Sequence, residues 1–238
     1  MRERAGLSGA LVTFFLLGYF GVGWIATEPA DARSLALTLD ARIPFLLDSV
    51  VVYWSILPMA LLPIFVVRDP DTFRRVALAY AVAIAVALAV FVVFPVTSRG
   101  FRPDAQAYSA SGFAGWLLQL LHFVDPPLNL LPSLHLALAF LAALAAVHVQ
   151  RGVGALGLAW TAVIAVSVCT TKQHFVADVA AGLGLGGLAH RVFVAGANRK
   201  AQANASFGAR GLVFFAALVA LFYAGLYAAY ALGVDPWT

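Results

Sequence analysis

Leu131-Pro132-Ser133-Leu134-His135 opens an apolar run that continues to about Val149, and Thr171-Lys172-Gln173-His174-Phe175-Val176-Ala177-Asp178 opens another that continues to about Val194. Each stretch sets polar, proton-handling side chains at the mouth of a segment otherwise suited to lipid. Ionisable groups at membrane depth are costly, so they are functional candidates by default. Composition supplies the setting: of 238 residues, 63% are hydrophobic and 11% charged, against about 25% charged in soluble domains. The chain therefore reads as a single integral membrane domain spanning residues 1–238, of all-α class. The single cysteine, Cys169, excludes an internal disulfide framework and a cysteine-rich metal site. The formal charge of +4 is dispersed between apolar runs, as in a membrane protein with basic loops and unlike a nucleic-acid binder.

A spanning helix needs about 20 mainly apolar residues. Seven stretches qualify, near 7–26, 44–67, 76–96, 133–149, 153–170, 174–194 and 211–232, and together they predict a polytopic helix bundle. The opening Met1-Arg2-Glu3-Arg4 and its apolar run read as a retained first helix. Trp24, Tyr53, Trp54, Trp116 and Trp237 fall near predicted ends, where aromatic belts form. Asp48, close to the start of the second run, reads either as a buried functional carboxylate or, as its position favours, as reaching interfacial water. The connection 97–131 carries an apolar stretch, 113–123, too short to cross, which reads either as an interfacial helix or lid or as an ordinary packed loop helix.

Alternating connections divide the basic residues between two ends. Side A holds Arg2, Arg4, Arg68, Arg74, Arg75, Arg151, Arg191, Arg199, Lys200 and Arg210; side B holds Arg33, Arg42, Arg99, Arg102 and Lys172. The positive-inside rule makes side A cytoplasmic, together with the N-terminus, and puts both polar stretches on the extracytoplasmic side of a plasma or inner membrane.

On side B three segments converge: 94–103, 132–135 and 172–178. His174 and Asp178 are spaced i, i+4, which predicts a shared helix face, with the carboxylate fixing the imidazole tautomer of a histidine able to attack phosphorus. The start of the sixth helix offers free N–H groups to an anion. Arg99, Arg102 and Lys172 are cations for phosphate oxygens. Ser133 reads as a helix N-cap whose hydroxyl binds a further oxygen, and His135 as the acid/base. Alone, His135 would read as a core histidine, and Arg99 and Arg102 as interfacial anchors. His122, His148 and His190 read as structural, and Gly182, Gly184, Gly186 and Gly187 as positions of close helix packing.

These residues resemble the motifs of the type-2 phosphatidic acid phosphatase superfamily: Lys-x6-Arg-Pro, Pro-Ser-Gly-His and Ser-Arg-x5-His-x3-Asp. Arg102-Pro103 matches the end of the first, Pro132-Ser133-Leu134-His135 the second, and Ser167, His174 and Asp178 the third. The resemblance implies a six-helix phosphatase core, with the last span an additional C-terminal transmembrane helix. It also implies His174 as nucleophile, Asp178 as its orienter and His135 as acid/base. Pro95, Leu134 and Val168 stand where the motifs have lysine, glycine and arginine. The variant motifs are closest in style to the inositol phosphorylceramide synthase-like branch, which moves a headgroup between lipids.

The expected activity is cleavage or transfer of a lipid's phosphate or phospho-headgroup through a phosphohistidine, with no metal or cofactor. The expected partners are a lipid phosphate from the bilayer, a water, polyol or lipid hydroxyl acceptor, and membrane lipids, with no nucleic acid. Two alternatives stand beside it. One is a metal-dependent membrane hydrolase with His135, His174 and Asp178 as zinc ligands. The other is a non-enzymatic transporter or binding protein for anionic lipid.

Overall fold

The computed structural model describes residues 2–25, 32–125, 127–197 and 209–235. The described residues form helices joined by loops, with isolated bridges that join Val96 to Arg33 and to Asn129. In order the helices are α1 (Arg2–Ile25), α2 (Thr38–Arg42), α3 (Ser49–Trp54), α4 (Ile56–Ala60), α5 (Leu62–Val66) and α6 (Pro70–Val93). They continue with α7 (Gly112–Val124), α8 (Leu134–Val149), α9 (Arg151–Thr170), α10 (Val176–Ala189) with a π-helical extension (His190–Val194), and α11 (Ala209–Ala231). Four of them, within α1, α6, α9 and α11, are long and apolar enough to cross a membrane.

The second expected span is not one helix. It is divided into α3, α4 and α5 at Ser55 and Leu61. Pro58 and Pro63 cannot donate the N–H bonds that would continue it. The backbone tightens instead into i→i+3 bonds such as Ile64 N–H to Leu61 O, 3.0 Å. The Ala60 carbonyl is taken by the Tyr80 hydroxyl at 2.8 Å.

The aromatic-belt reading is also corrected. Tyr53, Trp54 and Trp116 are buried. Their polar atoms are satisfied internally, as burial requires: the Trp54 indole donates to Leu117 O at 3.2 Å and that of Trp116 to Val234 O at 2.8 Å. Trp237, Arg199 and Lys200 lie outside the described residues, as does the side chain of Trp24. Asp48 is exposed just ahead of α3, as expected. The 113–123 stretch forms α7, whose buried face packs on α3 and against the end of α11.

The two ends of the bundle are stitched separately. At one end Arg74 pairs with Glu3, and Arg75 reaches Phe193 O. At the other, Thr97 N–H bonds to Arg33 O, Ser98 N–H to Pro127 O, and Leu46 N–H to Thr170 O. The segments expected on side B meet there: Ser133 N–H bonds to Asp178 O at 3.1 Å, and the Phe101 and Phe175 rings lie 5.0 Å apart.

α8 is the buried centre, sheathed by α9 and α10. Its contact with α10 depends on two glycines one turn apart. A Cβ at Gly182 would lie 2.5 Å from the Ser133 carbonyl oxygen, and one at Gly186 would lie 2.4 Å from that of Ala137. Small residues at i, i+4 let membrane helices approach this closely. Gly184 faces open space.

Candidate active site

α10 begins later than its sequence suggests. Phe175 is its N-cap and Val176 its first residue, so His174 sits ahead of the helix and shares no helical face with Asp178. The turn after α9 places it instead, with His174 N–H bonded to Val168 O at 3.1 Å. Nor is the start of α10 open to an anion. Phe175 N–H donates to Asp178 Oδ2 at 2.9 Å, and Val176 N–H to Asp40 Oδ1 at 2.8 Å. Two buried carboxylates thus occupy the helix end that favours negative charge. Asp40 also accepts from Leu37 N–H at 2.7 Å and so ties α2 to α10.

His174 and Asp178 nevertheless meet. His174 Nδ1 lies 3.6 Å from Asp178 Oδ2, an ion-pair distance that is long for a hydrogen bond. The opposite nitrogen, Nε2, lies 3.4 Å from Ser133 Oγ. A carboxylate on the Nδ1 side favours the tautomer that leaves the Nε2 lone pair free. Ser133 caps α8 as expected, accepting from Leu136 N–H at 3.4 Å. Its own N–H bonds to the Asp178 carbonyl at 3.1 Å. His135, in the first turn of α8, turns its ring toward His174 with 6.4 Å between centroids. His174 and Asp178 are buried, whereas His135 is half-buried and faces a cavity.

A second cluster lies alongside, of which only Arg102 stands out as a site residue in the sequence. Arg102 donates through Nε to Ser98 Oγ at 2.8 Å and through a terminal nitrogen to Asp125 O at 2.7 Å, and its other terminal nitrogen is 3.7 Å from Asp125 Oδ2. The same carboxylate accepts the hydroxyls of Tyr19 and of Tyr53, the latter at 2.9 Å. The Tyr19 and Tyr53 rings flank His135 at 5.3 and 6.2 Å. Burial pushes the Asp125 carboxyl up, but Arg102 foremost, then His135 and the Tyr19 hydroxyl, outweigh it and hold the group below the usual carboxylate range. Asp125 stands before Pro126-Pro127 and has the sequence appearance of a loop charge. Only its contacts with α1, α3 and Arg102 mark it out.

The remaining candidates are dispersed. The Lys172 ammonium donates to the carbonyls of Asp40, at 2.8 Å, and Ile43, at 2.5 Å, and rests 4.7 Å from the centre of the Phe101 ring. Arg99 is exposed. His122, on α7, lies 3.0 Å from Gln173 Nε2. Burial first and Arg102 second push its imidazole down to about 4. Among the described residues no three His, Cys, Asp or Glu side chains are grouped as a metal ion would need.

Together these contacts define a membrane-bundle protein with a buried histidine–carboxylate pair and a second histidine and a serine facing it at one end. A model of the PAP2 superfamily matches residues 38–192, well over half of the chain, and the chain belongs to that superfamily. The match runs from α2 through α10 and leaves α1 and α11 outside. No curated protein and no solved structure matches the chain. Membership makes it a phosphatase-type membrane enzyme acting on a phosphorylated substrate.

Proposed function

We propose that the protein cleaves or transfers the phosphate or phospho-headgroup of a membrane lipid through a phosphohistidine at His174. The Nε2 lone pair of His174 attacks phosphorus, and the bond to the leaving oxygen breaks. His135, protonated, gives that oxygen its proton. The neutral His135 then takes a proton from water or from a lipid or polyol hydroxyl, whose oxygen attacks the phosphoryl group and breaks the P–N bond. Asp178 stabilises the His174 ring as it gains positive charge. Ser133 and Arg102 hold phosphate oxygens, with Asp125 aiming the guanidinium. Arg99 and Lys172 add positive potential at the rim. The positive-inside rule puts this chemistry on the extracytoplasmic side.

The observation that carries the reading is the setting of His174: a carboxylate by Nδ1, a serine by Nε2, and a second histidine ring with its centroid 6.4 Å away. A binding protein has no need of that polarity. Purified protein incubated with phosphorus-labelled lipid extract tests it. Free phosphate identifies water as the acceptor, and a new labelled phospholipid identifies an alcohol. Label that stays in the starting lipids at all times overturns the reading.

A further inference from the structure

A cavity of about 320 Å³ starts at His135 and runs along the bundle between α1, α4, α5, α6 and α11. Among the described residues no Asp, Glu, Lys or Arg lines it. Ile84, Leu138 and Phe15 surround the end beside His135, and Phe73, Ile64 and Ser8 the far end. Along α6, the eleven steps from Ile84 to Phe73 measure about 16 Å at 1.5 Å per residue. One leaflet of a bilayer has a hydrocarbon depth of about 15 Å, half of the whole core. The cavity thus has the length of one leaflet's hydrocarbon chain and begins at the acid/base candidate. Two of its walls, Leu11 on α1 and Leu218 on α11, belong to helices outside the matched segment.

We propose that this cavity is a subsite for a single hydrocarbon chain of the lipid whose phosphate is handled at His174, walled off by α1 and α11. The proposal rests on the lipid phosphoester reading above and adds how the lipid is selected. A chain threaded past Leu138 and Ala77 toward Phe73 keeps its phosphate end at His135. Selection follows from chain length, because the cavity admits only as many methylenes as its depth holds and each one that leaves water for its apolar wall is favoured.

The test uses full-length protein in detergent and n-alkyl phosphates from octyl to hexadecyl. In the wild type, kcat/KM should rise with chain length. Ala77 lies on α6 about 10 Å from Ile84 toward the far end, so Ala77→Phe blocks the cavity partway. Shortening the path from about 16 to about 10 Å excludes several methylenes, and losing even two should lower the hexadecyl-to-octyl ratio of kcat/KM about tenfold or more. Ala60→Phe, on the facing wall, serves if the first variant does not fold. A flat chain-length dependence, or a ratio that both variants leave unchanged, overturns the proposal. Hexadecyl phosphate with a diazirine at its tail decides the matter separately from turnover. Crosslinks to peptides carrying Leu11, Ala60 or Ala77 support the cavity even if no phosphate is released, in which case the phosphoester reading alone falls. Crosslinks confined to lipid-facing residues such as Leu17 and Val213 overturn the cavity even if turnover is normal.

Discussion

Gly182 is where the packing of the bundle and the geometry of the site are the same contact. A methyl group there would stand 2.5 Å from the Ser133 carbonyl oxygen and 3.2 Å from Ser133 Cβ, whereas ordinary contact begins near 3.4 Å. In Gly182→Ala the start of α8 must therefore retreat from α10 by about 0.9 Å, the difference between 3.4 and 2.5 Å. Two interactions cross that gap: Ser133 N–H to Asp178 O at 3.1 Å, and Ser133 Oγ to His174 Nε2 at 3.4 Å. Misplacing reacting groups by about 1 Å costs about 100-fold in rate, and overpacking a core costs about 1–3 kcal/mol. The expected outcome is a kcat about 100-fold lower, a KM within a few-fold of wild type, and a modestly lower melting temperature. The assay is steady-state phosphate release on purified protein, with folding followed by thermal melting. Gly184→Ala is the control, since its methyl group meets nothing within 4 Å and Ala suits a helix better than Gly by about 0.5–1 kcal/mol. A folded Gly182→Ala with wild-type kcat would refute the claim that α8–α10 spacing sets the site.

Asp125→Asn leaves the nearly buried Arg102 guanidinium without its carboxylate. Breaking such a pair costs about 3–5 kcal/mol, so this variant should melt lower than Tyr53→Phe, which removes one hydrogen bond to the same group; equal melting would sink the anchoring role. Lys172→Met removes two bonds to the backbone carbonyls of Asp40 and Ile43 and should cost about 1–3 kcal/mol of stability. A raised KM at unchanged melting would instead assign the ammonium to the substrate's phosphate. His122 is held at about 4, below its ordinary value, so the folded protein refuses a proton that the unfolded chain accepts. Its contribution to stability is complete above about pH 6.5 and is lost as pH falls toward 4. The decline of melting temperature over that window should be shallower in His122→Asn than in wild type, and an unchanged slope would contradict the half-buried, neutral imidazole.

Class and architecture were legible because the lipid environment imposes them: long apolar runs, interrupted at one end by polar residues, leave few structures other than a helix bundle. The convergence of His135, His174 and Asp178 followed from counting crossings, and Gly182 and Gly186 had the packing role their spacing suggested. The failures were local. Pro58 and Pro63 sat in a run whose hydropathy hid their effect on the backbone. His174 and Asp178 were placed on one helix because i, i+4 spacing looks the same when a helix starts between its members. Tyr53, Trp54 and Trp116 read as belt residues because their partners come from distant segments. Asp40 and Asp125 were missed for the same reason. A buried carboxylate is recognised by what it accepts, and those donors, from Val176 to Tyr19, lie far away in sequence.

The most direct measurement is of the covalent intermediate itself. The enzyme is mixed briefly with phosphorus-labelled lipid phosphate and quenched in alkali, and its peptides are analysed by mass. An acid-labile phosphoryl group on His174, formed and lost at rates that support turnover and absent from His174→Ala, is the expected result. Turnover by His174→Ala, or a phosphoryl group carried by any other residue, would contradict it.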